Sequence, residues 1–402
     1  MKYTRQEVMQ FVNEEDVKFI RLAFCDVFGK QKNISIQPGE LKRAFEYGIA
    51  FDASSIAGFG DEMRSDLFLH PEPSTLVVLP WRPEHGRVVR MFCDIAWPDG
   101  TPFESDTRHL LKKAVAEAEQ TGYAFQFGPE LEFYLFERDE RGKPTLEPYD
   151  EAGYMDIAPD DRCENIRREI CLTLEQMGII PESSHHEGGP GQNEIDFRYS
   201  DPLTAADNAV TFRAVVKTVA NRNGIAADFS PKPLENRPGN GMHINFSVKG
   251  KDDTPALDAA VAGVLDTIAE MTVFLNPVSK SYERFGNCKA PRYISWSAEN
   301  RSQLVRIPAA FGEFKRAELR SPDPCANPYI ALALMIYAGL HGIKNRLELP
   351  PPADLNLYTA PPDILSGFRQ LPATLEQAKA AAKASAFIRA HLPEAVISSY
   401  VE

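Results

Sequence analysis

The sequence predicts an α+β fold in two parts, and three features carry that expectation. The first hundred residues read mostly as strands cut by prolines. Capped helical stretches interleaved with short strands follow. Several of the later strands alternate apolar residues with carboxylates, histidine and arginine, so each has one face for a core and one for something polar.

Taken in order, residues 17–27 are rich in apolar and aromatic side chains and end near Gly29, a turn signal. Residues 76–79 and 88–95 read likewise. Pro71, Pro73, Pro80, Pro83 and Pro98 punctuate this region. Asp99-Gly100 marks a turn where a first domain, residues 1–100, gives way to a second, residues 101–402. Asp106 is placed to cap a helix running to Gln120, with Gly122 beyond its end. Further helices are expected over 160–177, closed by Gly178, and over 202–223, closed by Gly224. Three more are expected over 256–275, 328–343 and 374–391. The proline-rich piece 350–362 reads as a surface loop.

Composition narrows the function. Lys+Arg number 44 and Asp+Glu 57 in 402 residues, a net charge of −13. A nucleic-acid backbone is a poor partner for such a surface. No apolar run has membrane-spanning length, and the first residues do not read as a secretory signal. The six cysteines are scattered without a CxxC pair, which fits a reduced cytoplasm and speaks against a disulfide framework or a zinc ribbon.

The polar strand faces are the informative part. In residues 127–136, a period of two puts Glu130, Glu132 and Tyr134 on one face. Residues 193–199 do the same with Glu194, Asp196 and Arg198, and residues 242–248 with His243, Asn245 and Ser247. Glu318 and Arg320 flank Leu319. On any one strand this is what a solvated sheet face looks like. Two glycine turns, 188–191 and 238–241, sit beside Glu187 and His243, and Arg301 and Arg306 follow. Glycine allows close backbone approach to a ligand. Carboxylates with one histidine suit Mg²⁺ or Mn²⁺ better than zinc, and arginines beside them suit phosphate or carboxylate groups.

These residues resemble the glutamine synthetase family, of bacterial and archaeal type in a short form. Six ordered blocks carry the resemblance. They are Phe51-Asp-Ala-Ser-Ser-Ile56, Gly128-Pro-Glu-Leu-Glu-Phe133 and His185-His-Glu-Gly-Gly-Pro-Gly-Gln-Asn-Glu-Ile195. The other three are Phe229-Ser-Pro-Lys-Pro233 with Gly241-Met-His243, Asn300-Arg-Ser with Arg306-Ile-Pro308, and the run from Glu318 to Tyr329. The resemblance implies a small N-terminal β-grasp domain and a catalytic domain whose curved antiparallel sheet forms a half-barrel backed by helices. It also implies cytoplasmic homo-oligomers, rings of six, with sites shared between neighbouring subunits.

The activity implied is ATP-dependent ligation of ammonia to the γ-carboxylate of glutamate, through γ-glutamyl phosphate. Two divalent cations, Mg²⁺ or Mn²⁺, are implied for each site: one at Glu132, Glu187 and Glu194, the other at Glu130, His243 and Glu318. Arg301 and Arg306 are expected at the transferring phosphoryl group and Arg316, with Arg306, at the nucleotide. Arg284, Arg320 and Gly239 are expected at glutamate. Asp52, from a neighbouring subunit, would attract ammonium and take its proton, with Ser55 and Tyr154 in the same pocket.

Four departures from the family pattern qualify this reading. Lys289 stands where the flap's glutamate is expected, in a stretch one residue short, unless a neighbouring acid such as Glu283 serves. Pointing inward, Lys289 would oppose ammonium; pointing outward, it would leave a wider entrance. Pro238-Gly239 replaces an expected Asn-Gly, and Glu313 an expected nucleotide-side lysine. The sequence ends where many relatives continue into a segment that links two rings, so a weaker or absent contact between rings is the expectation, with single and stacked rings both left open. Tyr358 falls near a loop that some relatives modify with AMP. A glutamate–amine ligase using a primary amine or polyamine is the close alternative. A guanidino kinase does not need these glutamates. A non-catalytic sensor would not need all six metal positions filled.

Overall fold

Thr4 and Glu7 close the first turn of α1 (Arg5–Glu14) reciprocally: the Glu7 N–H donates to Thr4 Oγ1 at 3.3 Å, and the Thr4 N–H donates to Glu7 Oε2 at 2.7 Å. The T-x-x-E spacing carries this signal, which the reading of the first hundred residues as mostly strands did not use. A second helix, α2 (Leu41–Tyr47), ends at Gly48. The computed structural model describes residues 3–60, 62–82, 85–250, 256–287, 289–308 and 315–402, so Cys288 and Glu313 lie outside the described residues.

The first sheet contains β1 (Val17–Cys25), β2 (Gln31–Ile36), β3 (Ile49–Asp52), β4 (Asp66–Pro71), β5 (Val77–Val78) and β6 (Arg87–Ala96). Its order is β2-β1-β6-β4-β3, with β5 also on β6. β1 and β6 run parallel and the remaining pairs antiparallel. Ile20, Leu22, Val89, Met91, Leu67 and Leu69 fill its core with Val8 and Val12 of α1.

Asp106 then caps α3 (Thr107–Thr121) by accepting the Arg108 and His109 N–H groups, and Gly122 ends it in the left-handed conformation, φ 89°. The second sheet follows: β7 (Tyr123–Arg138), β8 (Pro144–Pro148), β9 (Pro181–His186), β10 (Gln192–Phe197), β11 (Ala226–Asp228), β12 (Met242–Gly250), β13 (Trp296–Ser297), β14 (Val305–Arg306) and β15 (Ala317–Leu319). Its order is β13-β14-β15-β12-β7-β10-β9, with β8 and β11 also on β7. All pairs are antiparallel except β13–β14.

Helices back this sheet: α4 (Glu164–Gln176), α5 (Pro202–Arg222), α6 (Leu257–Leu275), the short α7 (Ser279–Tyr282) and α8 (Pro328–Lys344). α4 starts later than the sequence suggests, because Asp161 Oδ1 takes the Cys163 N–H at 2.9 Å and turns the chain first. Phe212 of α5 meets Phe133 at 6.0 Å and Phe197 at 5.6 Å between ring centroids, so the apolar sheet face is sealed. α6 and α8 touch through Gly263 and Gly342; a Cβ on Gly263 would lie 2.1 Å from the Ala338 carbonyl oxygen. The short helix α9 (Pro362–Leu365) follows the proline-rich loop.

The expected 374–391 helix is two, α10 (Leu375–Ala384) and α11 (Ala386–His391). Ser385 breaks it by accepting the Ile388 N–H at 2.9 Å as a new N-cap. α12 (Glu394–Val401) brings Tyr400 onto the first sheet's end, where its hydroxyl donates to the Val27 carbonyl at 3.0 Å. The Asn327 side-chain amide donates to the same carbonyl at 2.9 Å, and Arg90 of β6 donates to the Thr211 hydroxyl of α5 at 2.7 Å. The two sheets are therefore tied by buried polar bonds as well as by packing.

Candidate functional site

Strand register builds the site. His243 of β12 lies opposite Glu130 of β7, Glu194 of β10 opposite Glu132 of β7, and His185 of β9 opposite Glu194. Arg306 of β14 and Asn245 of β12 each lie opposite Glu318 of β15. Side chains alternate along a strand, so these partners crowd one face while Leu131, Phe133, Ile195 and Ile244 enter the core on the other.

The donors fall into two overlapping groups. Ligand atoms of Glu130, Glu194 and His243 lie within 4.8 Å of one another, as do those of His185, Glu187 and Glu194. His243 Nδ1 is 3.6 Å from Glu130 Oε2 and 3.7 Å from Glu318 Oε1. Burial, with the Arg320 charge, pulls the His243 pKa down to about 4, so near neutral pH its imidazole is uncharged and has a lone pair to give. Glu132 Oε2 accepts the Gly241 N–H at 2.7 Å. Burial and the nearby Glu132, Asp196, Glu130 and Glu187 carboxylates push Glu194 well above the usual range. Burial and Glu318 push Glu130 up to about 7. Among the described residues no lysine or arginine pairs with Glu132 or Glu194. Oxygen-rich and like-charged, this set fits hard divalent cations.

Glu318 differs. Its buried carboxylate accepts from Arg306 Nε at 2.6 Å and from Arg320 Nη1. Burial pushes it up, but Arg320, His243 and Arg306 hold it well below the ordinary carboxylate range. The metal groupings implied by resemblance are therefore not the triads that the geometry brings closest: Glu318 is engaged by arginines, and Glu194 belongs to both clusters.

Glu187 Oε1 lies 3.1 Å from His185 Nε2, and its Oε2 accepts the Gly188 N–H at 2.9 Å. Burial pushes Glu187 up, yet the His185 and Gly188 hydrogen bonds with the Lys289 charge bring it below the usual value. Behind it, buried His186 bonds the Glu187 carbonyl at 2.7 Å through Nδ1 and Asp150 at 2.9 Å through Nε2. Gly239 holds Arg284 closely: a Cβ there would lie 2.4 Å from the Pro231 carbonyl oxygen and 2.7 Å from Arg284 Cγ. The Tyr134 hydroxyl, on the predicted polar face, donates to the Pro238 carbonyl at 2.7 Å.

Arg284 is buried and donates to the Ser321 carbonyl at 3.1 Å. The Nε atoms of Arg284 and Arg320 are buried and have no hydrogen-bond partner among the described residues. Arg316 Nε donates to Asn245 Oδ1 at 3.0 Å, while Asn245 Nδ2 donates to Glu130 Oε1 at 2.6 Å. A cavity of ≈ 130 Å³ beside these residues is lined by Gly128, Tyr199, Phe246, Ser247 and Arg316. Arg301 is exposed on the turn before β14. Tyr154 is 46% exposed, edge-on to His185 at 5.5 Å. Lys289 reaches over the Tyr154 ring, its Nζ 4.5 Å from the centroid. Glu283 is exposed at the end of α7.

Asp52, at the end of β3, and Ser55 beyond it are exposed, and Asp52 accepts the local Ser54 N–H at 2.9 Å. No described hydrogen bond or ion pair links either of them to the carboxylate cluster within one chain. Sequence reasoning assigned no role to His185, His186, Asp150, Asn245 and Gln192. The period of two around the His185-His186 doublet held a signal for the first: His185 shares a face with Glu187. Asp150 had no such signal, because its partner His186 is 36 residues away.

Residues 16–98 match the glutamine synthetase β-grasp domain model and residues 104–402 the glutamine synthetase catalytic domain model. A glutamine synthetase of Methanosarcina mazei is 47% identical over 99% of this chain and 92% of its own length. That of Clostridium saccharobutylicum is 45% identical over 100% and 94%. Among solved structures, a GmaS/ADP complex covers 98% of this chain and 93% of its own, with a TM-score of 0.88 and 27% identity. Apo GmaS gives the same TM-score. The first sheet is thus a β-grasp and the second a helix-backed half-barrel, as expected, and no described helix is long and apolar enough to cross a membrane. With both domain models and near-complete relatives matched, the chain belongs to the glutamine synthetase family and is an ATP-dependent carbon–nitrogen ligase of the glutamate–ammonia ligase type.

Proposed function

We propose that the protein joins ammonia to the γ-carboxylate of glutamate, using ATP, in the cytoplasm. The observation that carries this reading is the register-built row of Glu130, Glu132, Glu194 and His243, with arginines on the adjoining strands. In the first step a glutamate γ-oxygen bonds to the γ-phosphorus, the β,γ-bridging P–O bond breaks and ADP leaves. In the second, nitrogen bonds to the γ-carboxyl carbon, the C–O bond to phosphate breaks, phosphate leaves and an N–H proton passes to a base.

Glu132, Glu187 and Glu194 would hold one divalent cation, and Glu130, His243 and Glu318 a second. Bound Mg²⁺ or Mn²⁺ supplies charge neutralisation to the phosphoryl oxygens. Arg301 and Arg306 face the transferring group. Arg316, fixed by Asn245, serves the nucleotide in the cavity beside Glu130. Arg284 and Arg320 offer their unpaired Nε donors to glutamate, with Gly239 giving the backbone room. Asp52, supplied by a neighbouring subunit in a ring of six, takes the amine proton, and Ser55 and Tyr154 complete that corner. The boundary near residue 100 separates this borrowed loop from the site it serves.

A second reading, a glutamate–amine ligase, is favoured by Lys289 over Tyr154. Mass spectrometry of products from glutamate, ATP, Mg²⁺ and an amine panel tests both. A γ-glutamyl amide is expected only with ATP and glutamate together. ATP hydrolysis without any amide would reject the ligase reading.

A further inference from the structure

Resting on the ligase reading in its second form, a glutamate–amine ligase, the inference concerns the corner that would receive the second substrate. Lys289 has a left-handed backbone, φ 67°, uncommon for a residue with a Cβ. Its carbonyl lies 3.5 Å from Arg320 Nη2, which ties the loop to the buried Arg320–Glu318 pair. Its Nζ sits 4.5 Å above the Tyr154 ring. Tyr154 in turn packs edge-on against His185, and His185 bonds Glu187. An aromatic face and a carboxylate are what an incoming ammonium ion needs. Here a tethered ammonium already interacts with both. Arg301 acts on the Tyr154 hydroxyl as a further positive charge.

We propose that Lys289 determines the second substrate: it excludes free ammonium ion and selects primary amines that carry an anionic group, such as a carboxylate, sulfonate or phosphate, which pairs with its Nζ. The substrate's own nitrogen then faces the carbonyl carbon of the acyl phosphate. C–N forms, C–OP breaks, and the proton leaves to the base as before. A fixed cation beside the nitrogen also favours its uncharged, nucleophilic form.

The test uses the intact oligomer with glutamate, ATP and Mg²⁺, reading phosphate release and amide mass. The amines are ammonium chloride, ethylamine, β-alanine, taurine and O-phosphoethanolamine. The wild-type protein should show kcat/KM at least about tenfold higher for one of the anionic amines than for ethylamine or ammonium, the scale of one screened charge pair. Lys289→Met should remove that preference mainly through KM and improve ammonium use, and Lys289→Arg should keep it. Melting temperatures of both variants check folding. If Lys289 only shaped the loop, Lys289→Met would lower all amines alike, which overturns the proposal. Ammonium as the best substrate of the wild type, unchanged in Lys289→Met, also overturns it while leaving the ligase reading intact. No amide with any amine overturns both.

Discussion

Glu132 and Glu194 face each other across the β7–β10 pair, in register and buried, with no described lysine or arginine paired to either. Two carboxylates held this way repel until a cation joins them.

Replacing one of them separates function from stability. Glu194→Gln should lower ligase kcat by roughly 10²-fold or more, since a lost metal removes several kcal/mol of transition-state stabilisation. The metal-free protein should become more stable by on the order of 1 kcal/mol, as one buried like charge is gone. Thermal melts in EDTA and in Mg²⁺ check this. The wild type should gain from Mg²⁺ and the variant little; equal gains would remove Glu194 from the metal set.

Glu318 behaves oppositely. Glu318→Ala leaves Arg306 and Arg320 without their shared counter-charge, at a cost of about 3–5 kcal/mol. Denaturant midpoints should fall accordingly, and Glu318→Gln, which keeps acceptors, should fall less. An unchanged midpoint for Glu318→Ala would mean that the arginine pairing contributes nothing.

Asp150 gives the acid limb of stability. Burial pushes its carboxyl up, but His186, Cys163 and the Gly191 N–H hold it far below its ordinary value of 3.8, with Asp161 and Arg167 paired in the same pocket. Its folded pKa lies below the unfolded one, so the unfolded chain binds the proton first. The stability it contributes is complete above 3.8 and is lost as pH falls below that value. Asp150→Asn should therefore destabilise on the order of 3 kcal/mol at pH 7, and by progressively less as pH falls further below 3.8. Melting temperature against pH reads the difference, and parallel curves would contradict it.

Subunit sharing is tested by mixing. Asp52→Ala and Glu132→Ala proteins should each be inactive, and exchanged mixtures should regain activity, because some interfaces then combine both intact halves. Verified exchange without recovery would place Asp52 outside the site.

Much of this was legible in the sequence. The period of two around Glu130 and Glu132, and the Asp106 and Gly122 helix caps, appear where local pattern puts them. Local pattern could not give the Ser385 break, where a hydroxyl competes with helix continuation inside an alanine-rich stretch. Nor could it reveal that Glu318 is held by arginines or that His186 bonds Asp150; the latter pair depends on chain segments brought together only by the fold. The orientation of Lys289 depended on its unusual φ, which residue type alone does not foretell.

The sixteen-residue strand β7 works as a ruler. Glu130 and Glu132 are two residues apart along it, about 6.6–6.8 Å, and their partners stand one strand away, about 4.8 Å. Donor spacing is thus inherited from backbone hydrogen bonding, a lattice that point substitutions in side chains do not stretch. Shortening an arm, Glu to Asp, withdraws one donor by about one carbon–carbon step while leaving every other mark in place. Evolution of ion preference on such a sheet proceeds by arm length and ligand type, in discrete increments, whereas the loops that carry Lys289 and Asp52 stay free to vary what is brought to the ion.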